Sequence, residues 1–277
     1  MRLGYNTNGL AHHSLPAAIE LLADLGYESV AITLDHCALN PYSESFRGEL
    51  SEIRRLLDRR RMRSVVETGA RYLLDPREKH EPTLVTADEA GRLRRIDFLK
   101  RAIDAAAELG SDCVSLWAGV VRHSIGRDQA RAHLASGLQR VLEYAERRKV
   151  LLGFEPEPGM LVDTMVSFDE LLQSVDSPWL GLTLDVGHLH CLGETPIASV
   201  IHQWRDKLVN VHIEDMRAGV HEHLMFGEGE MDFLPIIAVL AATGYDGGVH
   251  VELSRHSHDG PRAAAKAFEF LSPLVQR

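Results

Sequence analysis

The residues best suited to chemistry sit at the ends of short apolar runs. Glu155 closes the run LLGFEP, Asp185 closes LGLTLDV, His212 lies late in LVNVHIED, and Glu252 lies late in GGVHVELS. Carboxylates with one imidazole are the ligand types for a divalent cation held by hard oxygens. A single acid at such a place is ordinarily a turn former or a helix cap. Four such groups arriving in register are a different matter, because neighbouring carboxylates repel one another unless a cation offsets them. A second group follows in NVHIEDMRAGVHEHLMFGEGEMDF, residues 210–233. There Asp215, Arg217, His221 and His223 lead into a Gly-Glu-Gly turn. A metal site, a substrate clamp and a polar loop are all open readings of its second half.

The elements that must position these residues follow from periodicity. Runs rich in β-branched residues cover 2–7, 29–34, 63–68, 112–118, 151–156, 180–186, 208–215 and 247–254. Between them lie segments with apolar spacing near 3.6, such as LPAAIELLADLG (15–26) and DFLKRAIDAAAELG (97–110). Gly26, Gly110 and Gly244 stand where a left-handed residue would stop a helix before the next strand. Eight strands alternating with helices predict a single (β/α)8 TIM barrel of the α/β class, one domain over 1–277. The alternative is an open doubly wound sheet. That fold would normally carry a glycine-rich phosphate loop after the first strand, where this chain reads NTNGLAHHS.

In a barrel the site lies at the C-terminal ends of the strands. Strands five to eight bring Glu155, Asp185, His212 and Glu252 to that rim. Strands one to four end in Asn6, Asp35, Glu67 and Trp117, a less coherent set. Trp117 could stack on a sugar ring or serve as buried packing. The loop after strand three, 69–89, is long and carries Arg71, Arg77, Lys79 and His80. If it covers the pocket it could recognise a phosphate or carboxylate; it could equally be a solvated lid.

Composition narrows the class. Of 277 residues, 45% are hydrophobic and 25% charged, and the net charge is −10, which suits a globular protein and argues against nucleic acid as a partner. The basic runs at Arg59–Arg61 and Arg92–Arg101 read as solvated helix faces. Cys37, Cys113 and Cys191 are scattered and form no metal or disulfide pattern. No run approaches the roughly 18 apolar residues of a membrane span, and the N-terminus lacks a secretion signal. The expectation is a cytoplasmic enzyme with no membrane partner, and homo-oligomerisation is left open.

Over essentially its whole length, in strand order and with its specific motifs confined to the second half, the chain resembles the xylose isomerase-like barrel superfamily: sugar and sugar-phosphate isomerases and epimerases, inosose dehydratases and endonuclease IV. The motifs are FEPEP (154–158), TLDVGH (183–188), NVHIEDMR (210–217), FGEGEMDF (226–233) and VHVEL (249–253). The resemblance implies that Glu155, Asp185, His212 and Glu252 hold one divalent ion of the Mn, Mg, Co, Zn or Fe kind. It implies that Glu155 and Glu252 act as acid and base on opposite faces of the substrate, and that His188 and Arg217 contact substrate oxygens. A metal chelating a carbonyl and its neighbouring hydroxyl acidifies the C–H between them and stabilises the enediolate that follows. Aligned with endonuclease IV on the Gly-Glu-Gly turn, His188, His221 and His223 stand where that enzyme holds an additional zinc. A second ion there, better suited to zinc, nickel or iron(II) than magnesium, competes with substrate contact by either histidine of the pair.

The nuclease's further zinc histidines have no counterpart in ETGARY (67–72) or SLWAGV (115–120). Glu157 is a supporting partner or a helix cap, and Arg255 to His258 either close the pocket or form a polar loop. The function expected is a metal-dependent isomerase or epimerase of a sugar, keto-sugar or sugar phosphate. The alternatives are a metal-dependent dehydratase (lyase) acting on an inosose or keto-sugar, and a non-catalytic barrel that binds a metabolite.

Overall fold

In the computed structural model, which describes residues 1–122 and 125–275, eight parallel strands close into a barrel. They are β1 (Arg2–Asn6), β2 (Ser29–Thr33), β3 (Arg63–Glu67), β4 (Cys113–Leu116), β5 (Leu151–Phe154), β6 (Leu180–Asp185), β7 (Leu208–Ile213) and β10 (Gly248–Val251). Around the barrel the order is β1-β10-β7-β6-β5-β4-β3-β2, so each strand pairs with its neighbours along the barrel sequence and β10 closes onto β1.

Helices α1 (Leu15–Leu25), α2 (Phe46–Arg60), α3 (Glu89–Leu109), α4 (Arg127–Arg148) and α5 (Met165–Ser174) follow the first five strands. Two short helices, α6 (Val186–Leu192) and α7 (Ile197–Trp204), follow β6; α8 (Phe233–Ala242) and α9 (Gly260–Val275) flank β10. Their apolar faces pack on the outside of the barrel in one continuous core, which is why the strands read as continuous apolar runs. Gly26 and Gly110 cap α1 and α3 in the left-handed region, and Gly244 adopts it just after α8. Arg61 and Lys149 do the same for α2 and α4 at φ 54° and 56°; no glycine marked those stops.

Two features differ from the sequence reading. The seventh run does not continue to Asp215 as one strand. It ends at Ile213, and after Glu214 the chain makes a separate antiparallel hairpin of β8 (Asp215–Arg217) and β9 (Val220–Leu224). Its pairing energy comes from local cross-strand bonds, which the apolar pattern does not report. His221 and His223 therefore stand on a strand, two residues apart on one face. The second feature is a bulge. The β6–β7 register passes from Leu182↔Leu208 to Thr183↔Asn210 and skips Val209. Val209 packs against Ala31, Val65 and Cys113 in a small cluster separate from the main core. The long loop at 69–88 is tied down by Ala70, Leu74, Leu84 and Val85, all buried in the main core.

Candidate metal centre and active site

The β6–β7 pairing places Asp185 beside His212, and the β7–β10 pairing places His212 beside His250. Glu155 and Glu252 each follow the last residue of their strand, where the backbone leaves the ladder at the rim. One donor atom each from Glu155, Asp185, His212 and Glu252 lies within 4.8 Å of the others. His212 Nδ1 is 3.0 Å from Glu155 Oε1 and 2.9 Å from Glu252 Oε2. Asn8 Nδ2 donates to Glu252 Oε1 at 2.8 Å and fixes that carboxyl group. Asp185 Oδ1 accepts the N–H of His188 and so caps α6. Its Oδ2, fully buried, has no hydrogen-bond partner among the described residues, the nearest imidazole nitrogen, His188 Nε2, being 3.5 Å away, and a buried carboxylate oxygen without a bond is costly unless something positive meets it.

The electrostatics describe the same demand. Burial alone would lower His212, yet Glu155, Glu67 and Glu252 hold it well above the usual imidazole range. Burial pushes Glu155 up to about 8 against the opposing charge of His212. Glu157 and Glu214 are likewise pushed well up by burial and by the neighbouring carboxylates. Burial works against ionising Glu252, but His212, by charge and hydrogen bond, and His223 and His188 hold it well below its ordinary value. Several acids crowded around a single imidazolium, with protons needed to neutralise some of them, form a donor set that a divalent cation fits.

These groups open into a cavity of about 620 Å³. It is lined by Glu155, Glu157, His212 and Glu252 and by His221 and His223 of the hairpin. Arg71, Lys79 and His80 of the long loop line it too, together with Trp117. Arg255 and His258 line it as well; His190, His256 and Arg77 do not. Trp117 is 8% exposed. It lies under the Arg95 guanidinium, 4.6 Å from the ring centroid, with His80 against its edge, so it both packs and lines the cavity.

Asp185 and His188 lie behind the lining. His188, His221 and His223 form a second cluster whose donor atoms also fall within 4.8 Å of one another. His188 Nε2 and His221 Nε2 are 3.1 Å apart, and Asp185, Glu214 and His223 form an adjoining group. Burial, with the other histidines, pushes His188 down to about 4 against the pull of Asp185, and lowers His221 as well.

Arg217 is not brought to the cavity. It sits at the hairpin turn opposite Val220, exposed, and its Nη2 donates to the Glu228 carbonyl at 2.9 Å. Asp215 is also structural. Its Oδ2 accepts from the N–H groups of Gly227 and Gly229, and Oδ1 from those of Met216 and Met231, so it ties down the Gly-Glu-Gly turn.

The strand-end reading passed over two residues. Glu67, grouped with the less coherent strand ends, faces His212 Nε2 at 3.0 Å. Glu214, fully buried, has no hydrogen-bond partner among the described residues at either carboxylate oxygen, with His223 Nδ1 3.8 Å from Oε2. The available signal was parity: Asn210, His212 and Glu214 are spaced by two. It was obscured by treating Asp215 as the end of the strand.

A family model described as a xylose isomerase-like TIM barrel matches residues 19–274. The chain is 25% identical over 262 residues to the L-ribulose-5-phosphate 3-epimerase UlaE of Shigella flexneri serotype 5b (strain 8401), covering 92% of this chain and 89% of that protein. Among solved structures, a D-tagatose 3-epimerase-like protein superposes with a TM-score of 0.82 at 23% identity, covering 100% of this chain and 97% of the other. The IolI protein, crystallised with a bound zinc atom, superposes with a TM-score of 0.79 at 20% identity, covering 100% and 98%. At these identities the two structures speak for the fold alone.

Proposed function

The chain belongs to the xylose isomerase-like TIM barrel family, and within it we propose a divalent-metal-dependent enzyme that isomerises or epimerises a sugar, keto-sugar or sugar phosphate. The observation that carries this reading is the convergence of Glu155, Asp185, His212 and Glu252 on one point of the rim, with Asp185 Oδ2 buried and without a hydrogen bond among the described residues. Those four residues would hold the ion. The relatives named as sugar 3-epimerases support the substrate class.

When bound, a divalent ion supplies Lewis acidity at a carbonyl and its neighbouring hydroxyl oxygen. The remaining work falls to the chain. Glu155 and Glu252 flank His212 Nδ1; one takes the proton from the hydroxyl-bearing carbon beside the carbonyl, and in epimerisation the other returns a proton to the opposite face of that carbon. Asn8 holds the Glu252 carboxyl group in place. Trp117 offers a flat wall to the sugar, and His188 contributes from behind the lining. His188, His221 and His223 take a second ion, or, without one, His221 and His223 bind substrate hydroxyls from the cavity wall.

The test is incubation of metal-loaded protein with keto-sugars, pentulose phosphates and inososes in heavy water. Deuterium uptake without mass loss is the expected result. Loss of one water would establish dehydratase chemistry instead. Elemental analysis of protein purified without chelator should find a divalent metal. If none is present and none binds at micromolar concentration, the chain is a metabolite-binding barrel.

A further inference from the structure

Beneath the candidate ion site a chain of buried polar side chains runs down the inside of the barrel. His212 Nε2, the nitrogen turned away from Glu155 and Glu252, lies 3.0 Å from Glu67 Oε1. Asn210 Nδ2 is 3.3 Å from the same oxygen and 3.1 Å from His212 Nε2. Asn210 Oδ1 is 2.8 Å from His250 Nδ1, and His250 Nε2 is 2.9 Å from Ser29 Oγ. All five residues are buried, and Asn210, His250 and Ser29 are at 0% exposure. The interior of a barrel at this depth is ordinarily filled with branched apolar side chains. Here room is made for a polar one: a Cβ on Gly4 or on Gly248 would overlap the His250 ring.

The direction of each bond is forced by which atoms can donate. The Asn210 amide nitrogen must face Glu67, since an amide oxygen there would oppose a carboxylate. Asn210 Oδ1 then faces His250 and can only accept, so His250 Nδ1 carries a proton. At the upper end Glu67 is an acceptor 3.0 Å from His212 Nε2. A bare ring nitrogen could accept from Asn210 Nδ2 at 3.1 Å, but it would set a lone pair against the carboxylate at the shorter distance; with the Asn210 amide hydrogen directed to Glu67, a proton on Nε2 gives the stronger, charge-assisted bond. The one nitrogen of His212 free to exchange its proton for an ion is Nδ1, which faces Glu155 and Glu252.

We propose that Glu67, itself oriented by Asn210 and His250, is a positioning residue that fixes His212 in the Nε2–H form and presents Nδ1 to the ion; the proposal rests on the metal reading above. A carboxylate on the far nitrogen of a ligating imidazole sets the tautomer, holds the ring plane and raises the basicity of the ligating nitrogen. The metal ligands are thus supported from strand β3, on the half of the barrel that supplies none of them.

The test uses protein labelled with 15N-histidine and loaded with 113Cd(II), the His212 signals being assigned by their loss in His212→Gln. In the wild type, cadmium coupling is expected on Nδ1, with a slowly exchanging Nε2–H proton. In Glu67→Leu, Cd(II) affinity should fall about 10- to 100-fold and the Nε2–H should exchange rapidly. Glu67→Gln, whose amide oxygen still accepts, should retain most of the affinity. Coupling on Nε2 in the wild type, or Glu67→Leu binding Cd(II) as tightly as wild type, overturns the proposal while leaving the metal reading intact. A wild type that binds no Cd(II) removes both.

Discussion

Two groups of histidines meet on the same rim under opposite fields. His212 is enclosed by Glu67, Glu155 and Glu252, and their charge holds it well above its ordinary pKa. Beside it His188, His221 and His223 meet one another, each with a carboxylate oxygen nearby, of Asp185, Glu157 and Glu214 respectively, at 3.5, 3.7 and 3.8 Å. Burial and mutual repulsion lower His188 and His221 below the ordinary imidazole value. The first group carries excess negative charge and must shed a proton from Nδ1 to take an ion. In the second, His188 and His221 are held towards the neutral form. The same side chain therefore does different work in the two places: one imidazole in a hard, anionic set suited to many divalent ions, and three in a softer set suited to zinc-like ones.

The largest expected effect comes from breaking the anionic group. Glu155→Gln and Glu252→Gln should each lower kcat by about 10²- to 10⁴-fold, with the far-ultraviolet circular dichroism unchanged. Wild-type-like turnover in either variant would remove the two-carboxylate mechanism and leave the group as a binding site only. Next is the imidazole group. His221→Ala with His223→Ala should reduce the bound metal by one ion per chain, measured by elemental analysis after dialysis. With the softer metal at a hundredfold excess over its Kd, these variants should also lose about 2.7 kcal/mol of metal-dependent thermal stabilisation. If the wild type holds a single ion and the double variant holds it equally well, the two groups differ as ion site and substrate wall.

The smallest effect isolates the cost of keeping an imidazole neutral away from any candidate ion. His80, in the long loop, is pushed down to about 4 by burial, with the cations Lys79, Arg95 and Arg71 adding to it against its bond to the Gly69 carbonyl. Its folded pKa lies below the unfolded value of 6.5. Between those values the unfolded chain binds the extra proton, so stability rises with pH and is lost as pH falls from about 6.5 towards 4. The contribution is at most about 1.4 kcal/mol per pH unit. His80→Gln should flatten the pH dependence of the melting temperature in that window; an unchanged slope would mean that the loop opens to solvate the ring.

The legibility of these regions in the sequence followed the range of the interactions. Glu155, Asp185, His212 and Glu252 could be found because a parallel strand delivers its last inward residue to a common rim, so position along one strand predicts neighbours on the next. The helix stops at Gly26 and Gly110 were equally local. Arg217 was misplaced because its motif position says nothing of the hairpin turn that carries its side chain to Glu228. Glu67 and His250 were passed over because their partners lie 145 and 40 residues away, at His212 and Asn210.

The sequence by itself determined the barrel, the order of its strands and the four strand-end groups that point to a divalent ion. Those features rest on periodicity and on strand-end position, both properties of short segments. The tertiary structure alone decided which nitrogen of His212 faces Glu155 and Glu252 and which faces Glu67, that Asp185 Oδ2 is buried without a hydrogen bond among the described residues, and that His188 meets His221 and His223. Each of these depends on side chains from distant strands being desolvated together, and the direction in which a buried group is shifted is set by that burial and by the charges the fold brings against it.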